Sequence, residues 1–387
     1  MVLQKNSNEH VYIAPARVNL IGEHTDYTGG LVLPMAIPFS TTATISPNSD
    51  SQYHFHSEQF KETREMPVDD RSEAAGNWSD YPVGVLRQLQ LRGITPPPFH
   101  LEIHGNVPFG AGLSSSASVE VASAIAILAH ANATLPLEEI AMLCKLAEND
   151  YVHSPCGIMD QFVITAAKAG HALLLDTRSL SYEHIPMNHD GLVNMRIVVC
   201  NSMVKHSIAD GDYGLRRREV EAGQDVLRAA FPQLRDLADA TLDQLESCVA
   251  KMTPESYRRC RHIITENARV REAKDAMTAG DAAHLGKLMI SAHASQRDDF
   301  ECSCEEIDFL VDQAVALEGC LGARMTGGGF GGCTVNLVSQ DKADTFAQAL
   351  AASYLKRFNI KAETYICEAV DGACFVTAPK QRNRKHD

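Results

Sequence analysis

Three segments of this 387-residue chain concentrate side chains that can do chemistry. In Arg17-Val-Asn-Leu-Ile-Gly-Glu23-His24-Thr-Asp26-Tyr27, short polar residues follow directly after a glycine. Glu23, His24 and Asp26 so spaced suit gripping several hydroxyls of a sugar. The same pattern also suits a metal cluster, or a helix N-terminus where carboxylates are ordinary. The second segment, Pro108-Phe-Gly-Ala-Gly-Leu-Ser114-Ser115-Ser116-Ala117, runs into a long apolar helical stretch. Small residues let backbone N–H groups approach an anion, and the helix start adds free donors and a favourable dipole. One of the three hydroxyls can also ligate magnesium; a serine cap behind a glycine turn is the blander reading. In the third, Pro155-Cys-Gly-Ile-Met-Asp160-Gln161-Phe162, a carboxylate stands in an apolar setting at a glycine turn. Burial raises the pKa of such a group and a neighbouring arginine lowers it.

A further segment, Thr326-Gly-Gly-Gly-Phe-Gly-Gly332, has five glycines in six positions. Gly327, Gly329 and Gly332 satisfy G-x-G-x-x-G, yet a strand and not a helix is predicted to follow, over Thr334–Val338. The dinucleotide reading therefore fails its own context, and a tight loop lining the active site is expected. No Gly-Lys-Ser/Thr ending occurs, nor His-Arg-Asp, nor Asp-Phe-Gly, which removes P-loop NTPases and protein kinases. Glu148 is a candidate magnesium ligand, or else a solvated helix carboxylate. Tyr213 joins an aromatic hydroxyl to the cationic helix start Arg216–Arg218. Trp78 and Tyr81, read as one side of a helix, offer rings to stack on a base, or pack the core.

A frame must hold these residues. Short strands are predicted at Val11–Ile13, Val18–Leu20, Thr41–Ile45, Tyr53–His56, Phe99–Ile103, Ala172–Leu175 and Arg196–Val199. Helices are predicted at Ala117–Ala131, Leu137–Tyr151, Tyr257–Met277 and Ala282–His293. Towards the end a helix (Glu305–Leu317), a strand (Gly332–Val338), a helix (Lys342–Arg357) and a strand (Glu363–Glu368) alternate. Strands and helices mixed without strict alternation through the chain predict an α+β fold. The length predicts two domains. A polar turn at Asn188–Val193 places the boundary, giving 1–188, 189–378 and a disordered basic tail 379–387.

Composition narrows the function. Hydrophobic residues at 45% exclude a disordered chain. With 35 Lys+Arg against 49 Asp+Glu, the net charge of −14 argues against nucleic-acid binding. The apolar stretch Ala117–Ala131 is too short to cross a bilayer, and the N-terminus lacks the apolar core of a signal peptide. Eleven scattered cysteines without a Cys-x-x-Cys pair read as free thiols in a reducing cytosol.

In chain order, Arg17–Tyr27, Pro108–Ser118 and Thr326–Cys333 resemble the three motifs of the GHMP family of sugar and small-molecule kinases. The first segment resembles the galactokinase signature within it, and Gly-Ile-Met-Asp-Gln-Phe and Tyr213 strengthen the match. The resemblance runs from about Ala14 to Cys374. It implies a two-domain GHMP-kinase-like fold with the active site in the cleft between the domains. It implies ATP as co-substrate, Mg²⁺ as cofactor, and phosphorylation of the anomeric hydroxyl of α-D-galactose, the first committed step of galactose utilisation. Asp160 is similar to the family's catalytic aspartate and Arg17 to its transition-state arginine. Glu23, His24, Thr25, Asp26, Gly157 and Tyr213 fall at sugar-binding positions. Gly110, Ala111, Gly112, Leu113, Ser114, Ser115 and Ser116 match the ATP phosphate loop. Ser116 and Glu148 stand at the magnesium positions, and Ser57, Trp78 and Tyr81 resemble nucleotide-pocket residues.

Two positions depart from the pattern: Ala16 stands where Gly is usual and Thr28 where Asn is usual, the latter expected to alter the sugar side slightly. Alternative acceptors are N-acetylgalactosamine or arabinose; Glu23 facing the 6-hydroxyl would repel a galacturonate. A galactose-sensing regulator of the same fold is the alternative outside catalysis. Such regulators lose a Ser-Ala pair that Ser116-Ala117 retains. A monomeric cytoplasmic enzyme with no membrane or nucleic-acid partner is expected.

Overall fold

The computed structural model describes residues 10–108, 110–205 and 209–376; the predicted basic tail lies outside them. The chain opens with β1 (His10–Asn19), β2 (Leu31–Val32), β3 (Pro34–Pro47), β4 (Gln52–Ser57) and β5 (Glu62–Pro67). Next come α1 (Asp80–Leu91), β6 (Phe99–Gly105), α2 (Ser115–His130), α3 (Leu137–Leu146) and α4 (Met159–Ala166). Strands β7 (His171–Asp176), β8 (Tyr182–Pro186) and β9 (Met195–Lys205) lead into a helical stretch. That stretch holds α5 (Ala209–Ala230), α6 (Leu242–Ser247), α7 (Pro254–Thr278), α8 (Ala282–Ser295) and α9 (Glu305–Ala316). The end is β10 (Cys320–Thr326), β11 (Gly331–Ser339), α10 (Ala343–Phe358), β12 (Glu363–Cys367) and β13 (Cys374–Val376).

The strands form a six-stranded sheet in the order β13-β1-β3-β6-β4-β5, a four-stranded sheet β10-β11-β9-β12, and a small sheet β2-β7-β8. The fold is α+β, as expected. Alternating burial along β4 and β6 turns one face of the first sheet to helices α1 to α4. α2 is apolar almost all round, and its Ala122, Ala124 and Ala126 are fully buried. No helix among the described residues is long and apolar enough to cross a membrane.

β1 links the two halves. Its Tyr12 and Ala14 pack into the core under the first sheet. Its Ala16 and Val18 join a second core with Val199 and Leu337 of the four-stranded sheet and Val270 and Met289 of α7 and α8. Between them the pairing with β3 shifts register at Pro15/Ala16. The two short strands predicted at Val11–Ile13 and Val18–Leu20 are thus one strand, with Pro15 tolerated at a bulge. Further differences bear on the site. The helix predicted to Tyr151 turns π-helical over Ala147–Tyr151, the turn that carries Glu148. Trp78 precedes α1, which begins at Asp80, so Trp78 and Tyr81 do not share a helix face. β10 escapes the sequence pattern because a glycine and a buried arginine interrupt its apolar residues. The turn at 188–193 does separate β8 from β9, but β13 crosses back to pair with β1.

Candidate active site

At the centre is an ion pair. β1 carries Arg17, buried, and the first turn of α4 carries Asp160. Arg17 Nε donates to Asp160 Oδ1 at 2.7 Å and Nη2 to Oδ2 at 2.6 Å, a two-point contact that fixes both groups. The third arm of the guanidinium donates to the Gly112 carbonyl at 2.6 Å. Ser114 Oγ donates to Asp160 Oδ2 at 2.5 Å, so the glycine- and serine-rich loop, the arginine and the carboxylate form one unit.

The loop owes its shape to left-handed backbone at Gly110 (φ 62°), Gly112 (φ 73°) and Ser114 (φ 61°). It ends at the first residue of α2, Ser115. Ser118, one turn on, donates to the Ala14 carbonyl at 2.9 Å and lies 2.8 Å from Thr41 Oγ1, pinning the helix start to the first sheet. Ala111 and Leu113 are buried in the second core and offer the loop backbone only. The glycine-rich turn between β10 and β11 closes over this loop. A Cβ on Gly332 would stand 3.2 Å from the Ala111 carbonyl, and one on Gly329 only 2.5 Å from that of Cys302.

Beside the ion pair opens a cavity of about 730 Å³, lined by Arg17, Glu23, His24, Asp26, Gly157, Asp160 and Tyr213 together with the glycine-rich turn. Glu23 Oε1 accepts the Gly327 N–H at 2.8 Å and lies 3.7 Å from Arg324. Burial raises its pKa even against the pull of Arg324 and Arg17. The Asp26 carboxyl is pushed up to about 6 by burial and by the charges of Asp160 and Glu23, with the Met159 N–H opposing. His24 is pulled down to about 3, by burial first and then by His262 and Arg324, so its imidazole is neutral in ordinary buffers. Burial and Asp26 raise the pKa of Tyr213, which keeps its phenol a donor. Gly157 lies against Asp26: a Cβ there would fall 1.7 Å from Asp26 Oδ2.

A second cavity, of about 570 Å³, adjoins the first through Tyr81, which lines both. Ser57, Trp78, Ser115 and Ser116 line it as well. The Trp78 indole stacks on Phe60 with centroids 6.2 Å apart and donates to Glu62 Oε2 at 2.9 Å. Near the boundary, Glu148 Oε2 accepts the Gln161 amide at 2.8 Å and the Cys156 thiol at 3.5 Å. Burial and the Asp160 charge push Glu148 up to about 7, against hydrogen bonds from Cys156, Ser116 and Gln161. A carboxylate and a hydroxyl in contact are hard oxygen donors of the kind a magnesium ion takes.

Comparisons with known proteins give the family and the fold. A galactokinase galactose-binding signature matches residues 3–47, and the GHMP kinase N-terminal and C-terminal domains match 80–168 and 273–356. The chain is 40% identical to a galactokinase of Chloroflexus aggregans over 95% of its own length and 94% of that protein's. It is 37% identical to one of Halalkalibacterium halodurans, over 96% and 93%. The chain belongs to the galactokinase family of GHMP kinases. Its structure is similar to that of Lactococcus lactis galactokinase solved with galactose, with a TM-score of 0.91 and 31% identity over 95% of each chain. Mevalonate kinase of Methanococcus jannaschii shares the fold, with a TM-score of 0.68 at 18% identity.

Within that family's signature, not every residue faces the cavity. The Thr25 hydroxyl lies 2.9 Å from the Gly22 carbonyl and 2.7 Å from that of Leu31, so its side chain holds the turn. Thr28 does the same towards the Thr25 carbonyl, at 2.9 Å, which turns this departure from the signature away from the sugar side. Sequence reading missed the buried groups behind the site. Glu266 of α7 accepts the Gly22 N–H at 2.8 Å, and His262, one turn earlier, lies 3.2 Å from the Glu23 carbonyl. Burial would raise the Glu266 pKa, but Arg269 and Arg324 win and hold it at about 2. Glu120 of α2 is also buried and accepts the Gln161 amide at 3.0 Å. Glu120 left a trace as a carboxylate interrupting an apolar run, and His262 and Glu266 left an i, i+4 pair on one helix face.

Proposed function

We propose that the chain transfers the γ-phosphoryl group of ATP to the anomeric hydroxyl of α-D-galactose, releasing galactose 1-phosphate and ADP. The observation that carries this reading is the Arg17–Asp160 pair standing where the sugar-type cavity meets the phosphate loop. Galactose occupies the larger cavity, with Glu23, His24, Asp26 and Tyr213 offering acceptors and donors to its hydroxyls. The ATP base enters the cavity of Trp78 and Tyr81, and its phosphates lie over the α2 N-terminus. Asp160 orients and accepts the proton of the anomeric hydroxyl as its oxygen attacks the γ-phosphorus. The bond to the β,γ-bridging oxygen breaks and ADP leaves. Arg17 faces the charge that spreads over the transferring group, where positioning and electrostatics dominate.

Ser116 and Glu148 would hold a magnesium ion, which when bound neutralises the β- and γ-phosphates. The buried Glu148 carboxylate beside the Ser116 hydroxyl supports the assignment. The intact Ser116-Ala117 start of α2 favours catalysis over sugar sensing. The division at 188/189, with β13 assigned to the first domain, belongs to the same proposal. So does a monomer in the cytosol: one chain supplies every proposed site residue, and all eleven cysteines are free.

ADP release with Mg-ATP and a panel of galactose, glucose, N-acetylgalactosamine and arabinose tests the reading. Galactose should give the highest kcat/KM. No turnover of galactose, or preference for another sugar, overturns it.

A further inference from the structure

Tyr27 sits behind the sugar cavity and does not line it. Its hydroxyl lies 3.3 Å from His24 Nδ1, the nitrogen turned away from the unpartnered one. His24 itself lines the cavity. Its backbone is left-handed (φ 64°), and its ring stacks on Phe300 with centroids 4.1 Å apart and planes 20° from parallel. The Nε2 atom is buried with no hydrogen-bond partner within 3.5 Å among the described residues, and the Gly328 backbone carbonyl is a weak acceptor for the ring. The ring is therefore held on one face and hydrogen-bonded within 3.5 Å at Nδ1 alone, leaving Nε2 as the nitrogen for a ligand. Tyr27 is fixed in turn, because the Arg217 guanidinium lies over its ring, 5.3 Å from the centroid.

A neutral imidazole has one donor and one acceptor nitrogen, and its partner decides which is which. Burial raises the Tyr27 pKa well above the usual value, so the phenol keeps its proton and is the natural donor. We propose that Tyr27 is a positioning residue: by donating to Nδ1 it sets His24 as the Nε2–H tautomer, which presents one N–H donor to a sugar hydroxyl. The proposal rests on the sugar-kinase reading of this cavity. Without Tyr27 the imidazole divides between two tautomers, and the Nδ1–H form turns a bare nitrogen to the ligand. A merely structural tyrosine would affect stability and leave the tautomer alone.

The tautomer is read directly by two-bond ¹H–¹⁵N correlation spectra of the full chain labelled with ¹⁵N-histidine, with His24→Gln used to assign the signal. The expected spectrum of the parent protein shows Nδ1 bare and Nε2 protonated at neutral pH. Tyr27→Phe should mix the two forms. It should also raise the galactose KM about three- to tenfold, the loss of one hydrogen bond, with kcat and the ATP KM within twofold. His24→Gln supplies an N–H near the Nε2 position that no longer depends on Tyr27. In that background Tyr27→Phe should leave the galactose KM within twofold, so that the double-mutant cycle shows coupling. A parent protein with Nδ1 protonated overturns the proposal without any variant. So does a Tyr27→Phe effect of equal size in both backgrounds. Absent galactose turnover in the parent overturns the functional reading instead, and the spectrum then stands on its own.

Discussion

Replacing Gly157 by alanine tests whether Asp26 is held where a sugar must find it. The φ of Gly157 lies outside the left-handed region, so a methyl group there brings no left-handed backbone strain. The whole effect falls on its neighbour. The new Cβ would lie 1.7 Å from Asp26 Oδ2 and 2.1 Å from Cγ, whereas ordinary contact begins at 3.4 Å. The carboxylate must retreat by about 1.7 Å, the difference between those distances. A carboxylate is the end of a side chain and can rotate away, so the fold should lose little: a shift of a few degrees in Tm. The proposed sugar site has no such latitude, because misplacement of about 1 Å costs on the order of 10²-fold. Steady-state ADP release should therefore show kcat/KM for galactose down about 10²-fold, about 2.7 kcal/mol of transition-state stabilisation. The ATP KM should stay within about threefold of the parent value, since Gly157 does not line the second cavity. A variant with kcat/KM within threefold of the parent would refute the argument. So would a collapse in Tm, which would mean that the backbone yields and not the carboxylate.

Asp160→Asn removes the proposed proton acceptor and half of the Arg17 pair; kcat should fall roughly 10²- to 10⁴-fold in the same assay, and a near-parental kcat sinks the assignment. Glu148→Gln should raise the Mg²⁺ concentration for half-maximal activity about tenfold or more and weaken Mn²⁺ binding followed by electron paramagnetic resonance; unchanged binding would remove Glu148 from the metal site. Asp26 has a folded pKa of about 6, above its ordinary value of 3.8, so the unliganded fold binds the proton more tightly and loses stability as pH rises through that window. Asp26→Asn escapes that loss: its denaturant stability relative to the parent should climb between about pH 4 and 6 and level off at about 2 kcal/mol, reduced because the carboxylate faces cavity water. A pH-independent difference would contradict the raised pKa.

Much of this site was legible in sequence because its residues cluster locally. Glu23, His24 and Asp26 follow one glycine, the serines follow the loop glycines, and Asp160 stands at the start of its own helix. Backbone requirements are equally local: five glycines in six positions demand a turn that other residues cannot make, and that turn is found between β10 and β11. What joins these segments is not local. Arg17 and Asp160 are 143 positions apart, and their two-point contact exists only because β1 and α4 pack together. Glu23 is tied to Gly327 across 304 positions. The supporting groups Glu266, His262 and Arg324 look in sequence like ordinary polar residues, since burial distinguishes them and burial is a property of the packed molecule. The same holds within the signature itself. Thr25 and Asp26 are adjacent polar residues, yet one hydroxyl closes a backbone turn while the next carboxylate faces the cavity. Residue type and spacing decide what chemistry a segment can carry; only the tertiary structure decides which side chains are desolvated, and thereby which pKa values move and which donors are left for a ligand.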